Sequence, residues 1–239
     1  MGSPAVLLTD FGLEDPYVGQ MKGVLAALAP GARVIDLCHG VWPFDVLQAS
    51  FFLDSSRAHF PPGSVFVCVV DPGVGGERRL VLLEKFRQIF LAPDNGLLSL
   101  VLAQDGPCRA RDVTPAGRLA STGTFHGRDI LAPLAARLLT GDEPEDLGAE
   151  VNPESLTRLP GAAPERDGPT LRAVVLHVDR FGNCILNLDT ARFGPSVFAS
   201  GGCAMASPER MPVMPATTYE KLAQGQLGLI AGSQGYLEL

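Results

Sequence analysis

The sequence predicts an α/β domain built on a mostly parallel sheet, followed by a small β domain. Three observations carry this reading. Short apolar runs alternate with amphipathic helical stretches through the first part of the chain, the pattern of a parallel sheet covered by helices. Two of the runs end directly in an aspartate, Asp10 and Asp71, and ligands of α/β sheets bind beyond the carboxyl ends of strands. After a stretch rich in Pro, Gly and acidic residues, helical periodicity fades and short apolar runs between turn residues take over, as in a small barrel or sandwich. The expected division is an α/β domain over 1–142, a linker over 143–168 and a C-terminal β-barrel domain over 169–239.

The elements follow in order. Ala5–Leu8 is a short buried strand ending at Thr9-Asp10-Phe11-Gly12. Asp15 and Pro16 then start a helix, as N-cap and first helical residue. Val18, Met21, Val24, Leu25 and Leu28 share one helical face, and Pro30-Gly31 ends it. Val34–Leu37 is a second strand, Phe44–Arg57 a helix and Val65–Val70 a third strand. Leu80–Leu83 and Ile89–Ala92 are candidates for further strands. Ile130, Leu131, Leu134 and Leu138 mark a helix that tolerates Pro133 only in its first turn. Beyond the linker, Leu171–Val178, Ile185–Leu188, Gly228–Ala231 and Tyr236–Leu239 read as strands. Gly201-Gly202 and the Met-Pro alternation near Met211 read as loop.

Composition narrows the function classes. The 239 residues are 46% hydrophobic and 19% charged, the balance of a packed globular protein. Net charge is −7, from 19 basic and 26 acidic residues without a basic block. That argues against a nucleic-acid partner. Cys38, Cys68, Cys108, Cys184 and Cys203 are odd in number and form no CxxC pair, which argues for a reducing compartment and against a zinc site. The expectation is a cytoplasmic protein with no leader segment, membrane span or metal.

Taken singly, the polar motifs are ambiguous. Asp71-Pro72-Gly73-Val74-Gly75 with Arg78 is a glycine-rich turn that lets backbone approach a ligand. It is neither a Walker A loop nor a GxGxxG fingerprint. His126, in Phe125-His126-Gly127-Arg128-Asp129, precedes a helix, yet a lone loop histidine is ordinary. Asp179-Arg180-Phe181-Gly182-Asn183 and Pro93-Asp94-Asn95-Gly96 are both plausible as plain turns.

As an ordered set these motifs, together with Tyr17–Gly23, resemble the S-adenosylmethionine hydroxide adenosyltransferase family. Its relatives include halogenases that place fluoride or chloride on the same carbon. The resemblance runs from about Val6 to Leu239. It implies a Rossmann-like N-terminal domain, a C-terminal β-barrel and a homotrimer whose active sites lie between the N-terminal domain of one subunit and the C-terminal domain of the next. It implies a water-activating triad of Asp71, Arg78 and His126, with Asp10 on the ribose hydroxyls and Phe44 as an aromatic wall. Asp179 matches the group near the methionine ammonium, and Phe181 and Asn183 face the adenine side. Tyr219 falls where an aromatic residue stacks on adenine, and Ser233 where the methionine carboxylate is held. Relatives continue past the final Leu-Glu-Leu with a tail that contacts adenine, so adenine recognition is expected to be weaker, supplied differently, or lost.

The implied reaction is attack of water on ribose C5′ of S-adenosylmethionine, giving adenosine and methionine. The sulfur leaves as a neutral thioether, so neither a general acid nor a metal is required, and no cofactor is expected. The difficulty is the weak nucleophile, which must lose a proton while attacking in line. His126 is the expected proton acceptor, since imidazole titrates near neutrality; Asp71 would orient it or the water, and Arg78 would fix Asp71. A halogenase is the nearest rival. The intact triad and the lack of a long insertion after the second helix argue against it. A non-catalytic nucleoside sensor would not need the triad.

Overall fold

The computed structural model describes residues 2–114, 124–168, 170–199, 203–204, 212–216, 219–222 and 227–239. The chain forms two units, Met1–Leu159 and Pro160–Leu239.

The first unit is mixed α/β. Its strands are β1 (Ala5–Thr9), β2 (Val34–Cys38), β3 (Val65–Val69), β4 (Leu80–Lys85), β5 (Gln88–Pro93), β6 (Cys108–Asp112) and β7 (Ala149–Val151). They form one sheet in the order β2-β1-β3-β5-β4-β6-β7. The pairs β2–β1, β1–β3 and β3–β5 are parallel, while β5–β4, β4–β6 and β6–β7 are antiparallel. Only β4 and β7 therefore run against the other five. Because β2 lies to one side of β1 and β3 to the other, the order reverses between β1 and β3. A crevice opens at such a switch point.

Side-chain alternation explains the layers. Ala5, Leu7, Val65, Val67 and Val69 pack on one face with Met21, Leu25 and Leu134. Val6, Leu8, Phe66, Cys68 and Val70 pack on the other with Ala49, Leu53 and Val101. Strands buried on both faces read as continuous apolar runs, which is why β1 and β3 are legible in the sequence. The covering helices are α1 (Tyr17–Leu28), α2 (Val46–Arg57), the short α3 (Ser99–Ala103) and α4 (Ala132–Thr140). Pro133 is the second residue of α4, which directly follows a π-helical turn, Gly127–Leu131, that runs into the helix.

Some local expectations need correcting. The N-cap of α1 is Pro16, with no side-chain cap from Asp15. Helix α2 starts at Val46, and Asp45 caps it by accepting from the Gln48 N–H. Phe44 lies before the helix at φ 68°, a left-handed conformation closed to helix interiors. The stretch expected as a linker carries two 3-10 turns, Pro144–Asp146 and Pro153–Ser155, and strand β7 at the sheet edge.

The second unit contains the hairpin β8 (Glu165–Asp167) and β9 (Thr170–Arg172). It also holds a six-stranded sheet of β10 (Val175–Val178), β11 (Cys184–Asp189), β12 (Cys203–Ala204), β13 (Pro212–Pro215), β14 (Leu227–Ala231) and β15 (Tyr236–Glu238). The order is β10-β11-β15-β14-β13-β12, antiparallel except for β13–β14. Among the described residues no ladder closes β12 onto β10. One helix, α5 (Thr190–Ala199), interrupts the β pattern and packs Phe193, Val197 and Phe198 against Leu188, Val213, Leu229 and Leu237. Gly201, Gly202 and Met211, read as loop, lie outside the described residues, but the rest of the Met-Pro alternation, Pro212–Pro215, is not loop: it pairs with its neighbours as β13. No described helix is long and apolar enough to cross a membrane.

Candidate active site

The loop that leaves β3 carries Asp71 near one end and Arg78 near the other. Arg78 Nε donates to Asp71 Oδ1 at 2.9 Å and Oδ2 at 2.8 Å, and Nη2 also donates to Oδ2. The side chains are 11% and 6% exposed. A paired, largely buried fork of this kind fixes both partners in orientation.

Arg78 Nη2 also lies 2.9 Å from Nδ1 of His126. A guanidinium has no acceptor, so Arg78 donates and Nδ1 accepts. The proton of the neutral ring is then on Nε2. His126 directly precedes a π-helical turn, Gly127–Leu131, that runs into α4; such turns recur at functional sites. Gly127 is closely surrounded there. A Cβ would meet Met21 Sδ at 3.2 Å and Phe125 Cε2 and Val69 Cγ2 at 3.3 Å.

Asp10 follows β1, and Thr9 pairs with Val69, so Asp10 and Asp71 leave adjacent strands on either side of the switch point. The Phe44 N–H donates to Asp10 Oδ2 at 2.9 Å. Phe44 holds its left-handed backbone while 65% exposed. Strain at a non-glycine residue beside a candidate ligand group is the kind that binding sites retain. Phe11, Tyr17 and Phe125 form an edge-to-face trio with centroids 5.4 to 5.7 Å apart. Arg128 lies over Phe125 at 4.9 Å and pairs with Asp129, which holds its guanidinium charged and raises its pKa.

A second polar chain, which sequence reasoning missed, lies beneath the Asp10 turn. Thr9 Oγ1 is 2.8 Å from His39 Nδ1, and His39 Nε2 is 3.1 Å from Asp36 Oδ1. Lys22 Nζ donates to Asp36 Oδ2 at 2.6 Å. Burial opposes ionisation of Asp36, but its hydrogen bonds with Lys22 and His39 prevail and hold its pKa below the ordinary range. Thr9 is fully buried, so the chain braces the turn rather than offering a nucleophile.

Three candidates in the second unit share one turn. Asp179 Oδ1 accepts from the N–H groups of Phe181 at 2.8 Å and Asn183 at 2.9 Å, and Oδ2 accepts from Asn183 Nδ2 at 2.9 Å. Against a desolvation that would raise it, the hydrogen bonds from Asn183, Phe181 and Gly182 lower the Asp179 pKa. Phe181 is 85% exposed. Ser233 is exposed in the turn between β14 and β15. Tyr219 opens a 3-10 turn, Tyr219–Lys221, and Thr217 and Thr218 of its motif lie outside the described residues. Among the described residues no group of three or more His, Cys, Asp or Glu is placed to hold a metal ion.

Comparison with known proteins identifies the chain's family. Residues 5–148 match the family model described as the SAM hydroxide adenosyltransferase N-terminal domain, and 173–239 match the corresponding C-terminal domain. The chain is similar to a Thermus thermophilus protein named (R)-S-adenosyl-L-methionine hydrolase, 42% identical over 99% of this chain and 91% of the relative. An uncharacterized conserved protein of Thermotoga maritima superposes with TM-score 0.83 at 33% identity, covering 98% of this chain and 90% of that one. A fluorinase from Actinoplanes sp. is more distant, 26% identical over 78% of this chain and 72% of its own length.

Proposed function

The chain belongs to the SAM hydroxide adenosyltransferase family, and from that premise we propose that it hydrolyses S-adenosyl-L-methionine to adenosine and L-methionine. The observation that carries the reading is the Asp71–Arg78–His126 chain at the carboxyl end of β3, beside Asp10 at the end of β1. A site that joins a ribose-binding carboxylate to a buried polar triad needs a polar nucleophile, and water supplies one.

The residues divide the work as follows. Asp10 accepts from the ribose hydroxyls and Phe44 walls the pocket. Asp179, Phe181, Asn183, Tyr219 and Ser233 take the methionine and adenine ends. Water attacks C5′, the C5′–S bond breaks with its electron pair going to sulfur, and the water proton leaves. Sequence points to His126 as the acceptor of that proton, but its Nδ1 lone pair already receives Arg78. Its Nε2–H instead donates to the nucleophilic oxygen, and the Asp71 carboxylate takes the proton. Positive sulfonium charge disappears in the step, which a dry, shaped site favours. None of these steps calls for a metal or cofactor.

The subunit arrangement belongs to the same proposal. Leu13, Tyr17, Trp42, Phe44 and Val74 are exposed at 75%, 44%, 70%, 65% and 44% on segments that follow β1, β2 and β3. Apolar surface of this extent around a polar site favours a covering partner. A cytoplasmic homotrimer, with the second unit of a neighbouring subunit completing each site, meets that need. Incubation of purified protein with S-adenosylmethionine, with and without chloride, tests the reaction. Adenosine and methionine form equally in both. Formation of 5′-chloro-5′-deoxyadenosine, or binding without turnover, overturns the reading in favour of a halogenase or a sensor.

A further inference from the structure

The Pro93-Asp94-Asn95-Gly96 segment reads in sequence as a plain turn, yet its two polar side chains do unusual things. Asn95 Nδ2 donates to the carbonyl of Val70 at 2.8 Å. Val70 is the residue immediately before Asp71. Asp94 Oδ2 accepts from Arg79 Nε at 3.0 Å and Nη2 at 2.6 Å, and the Asp94 N–H donates to the Arg79 carbonyl at 2.9 Å. Arg79 is the residue immediately after Arg78. The turn thus grips the chain on both sides of the loop that carries the triad carboxylate and its guanidinium.

Each grip is itself anchored. Leu80 pairs with Pro93, so Arg79 and Asp94 face each other just past the paired end of β4 and β5. The Asp94 side chain is 7% exposed, and its second oxygen accepts the Thr157 N–H at 2.8 Å. Asn95 Oδ1 accepts the Leu97 N–H at 3.2 Å, which orients the amide so that Nδ2 faces Val70. Gly96 takes φ 96° and closes the turn, and a Cβ there would lie 2.5 Å from Leu159 Cγ. Between Val70 and Arg79 the loop has no strand pairing of its own, so beyond its covalent junctions with β3 and β4 these contacts tie both its ends to the turn after β5.

We propose that Asp94 and Asn95 are positioning residues for the reaction: together they hold the two ends of the 71–78 loop at the separation that lets Arg78 bridge Asp71 and His126. They touch neither substrate nor reacting atoms. A loop held this way keeps the triad aligned before substrate arrives, and misalignment of about 1 Å is enough to cost a large factor in rate. The inference rests on the hydrolase reading for its effect on turnover, but not for its effect on the Asp71–Arg78 pair.

Two readouts test it. In turnover assays, Asn95→Ala lowers kcat roughly 10–100-fold with KM for S-adenosylmethionine changed little. In an Asp71→Asn background the same substitution has almost no further effect, because it acts through Asp71. An equal loss in both backgrounds, or a change in KM alone, overturns the proposal. Independently of activity, the ¹⁵N-edited Nε–H resonance of Arg78, assigned by its loss in Arg78→Lys, is protected from exchange in the parent and loses protection in Asn95→Ala. Retained protection in the variant overturns it too. If Asn95→Ala does not fold, Asp94→Asn carries both readouts from the other end of the loop. A parent that never turns over S-adenosylmethionine refutes the hydrolase reading, and the Arg78 resonance still decides the positioning claim.

Discussion

Arg78 Nη2 donates to His126 Nδ1 across 2.9 Å, and this contact makes the outer nitrogen, Nε2, a donor in the neutral ring. A glutamine amide can present an N–H from a similar position, whereas it cannot act as a base. His126→Gln should therefore keep kcat within about tenfold of the parent, while His126→Ala should lose roughly 10²–10⁴-fold. Steady-state kinetics on the two variants decide the point. Equal losses would return His126 to the role of proton acceptor.

The Asp10 carboxylate accepts the Phe44 N–H at 2.9 Å, and the proposed reaction gives it a second task, toward the ribose. Asp10→Asn keeps an acceptor for Phe44 but loses the charge. Asp10→Ala loses both and leaves the strained Phe44 backbone without its restraint. KM for S-adenosylmethionine should rise in both variants. Stability should fall by about 1–2 kcal/mol in the alanine variant and much less in the asparagine one. Thermal melts beside initial rates separate the two tasks.

Much of the first unit is legible in sequence because β1 and β3 are buried on both faces, and continuous apolar runs announce themselves. The placement of Asp10 and Asp71 at strand ends follows from that alone. Phe44 reads as helical because nothing in a local window marks a left-handed phenylalanine; the Asp10 acceptor that rewards it lies 34 residues away. Strand β7 is hidden by its proline- and acid-rich flanks, and it forms because β6 offers it a free edge. Helix α5 escapes a sequence reading because Gly194 and Pro195 sit inside it, and its tertiary packing overrides their poor propensity. Asp94 and Asn95 look like turn formers because their partners, Arg79 and Val70, are 15 and 25 residues distant.

Gly127 is enclosed by Met21, Phe125 and Val69, which lie 3.2 to 3.3 Å from where a Cβ would sit. Gly127→Ala should destabilise by about 1–3 kcal/mol through overpacking. It should also lower kcat more than it raises KM, because His126 is its neighbour. Denaturant unfolding together with kinetics on the folded variant checks both parts.

Glu84 sits on β4 with Oε2 3.7 Å from Arg111 Nε, beyond hydrogen-bond range. Burial and the nearby Glu145 raise its pKa above the ordinary carboxylate value, against the opposing pull of Arg111. The folded state therefore holds this proton after the unfolded chain has released it. Stability is lost as pH rises from the ordinary value through the raised one, and the loss persists above it. Glu84→Gln should remove that loss and raise Tm at pH 7 by roughly 2 °C, with the advantage vanishing near pH ~4. Arg111 keeps its 2.7 Å partner Glu145 in the variant. Melting curves across this range test the sign.

The central claim is that water, activated beside Asp71, Arg78 and His126, forms the new bond to C5′. Turnover of S-adenosylmethionine in ¹⁸O-water measures it directly. The account predicts one ¹⁸O atom in the 5′-hydroxyl of the adenosine product, none in methionine, and loss of the labelled product in Asp71→Asn. Unlabelled adenosine, or undiminished labelling in Asp71→Asn, would contradict it.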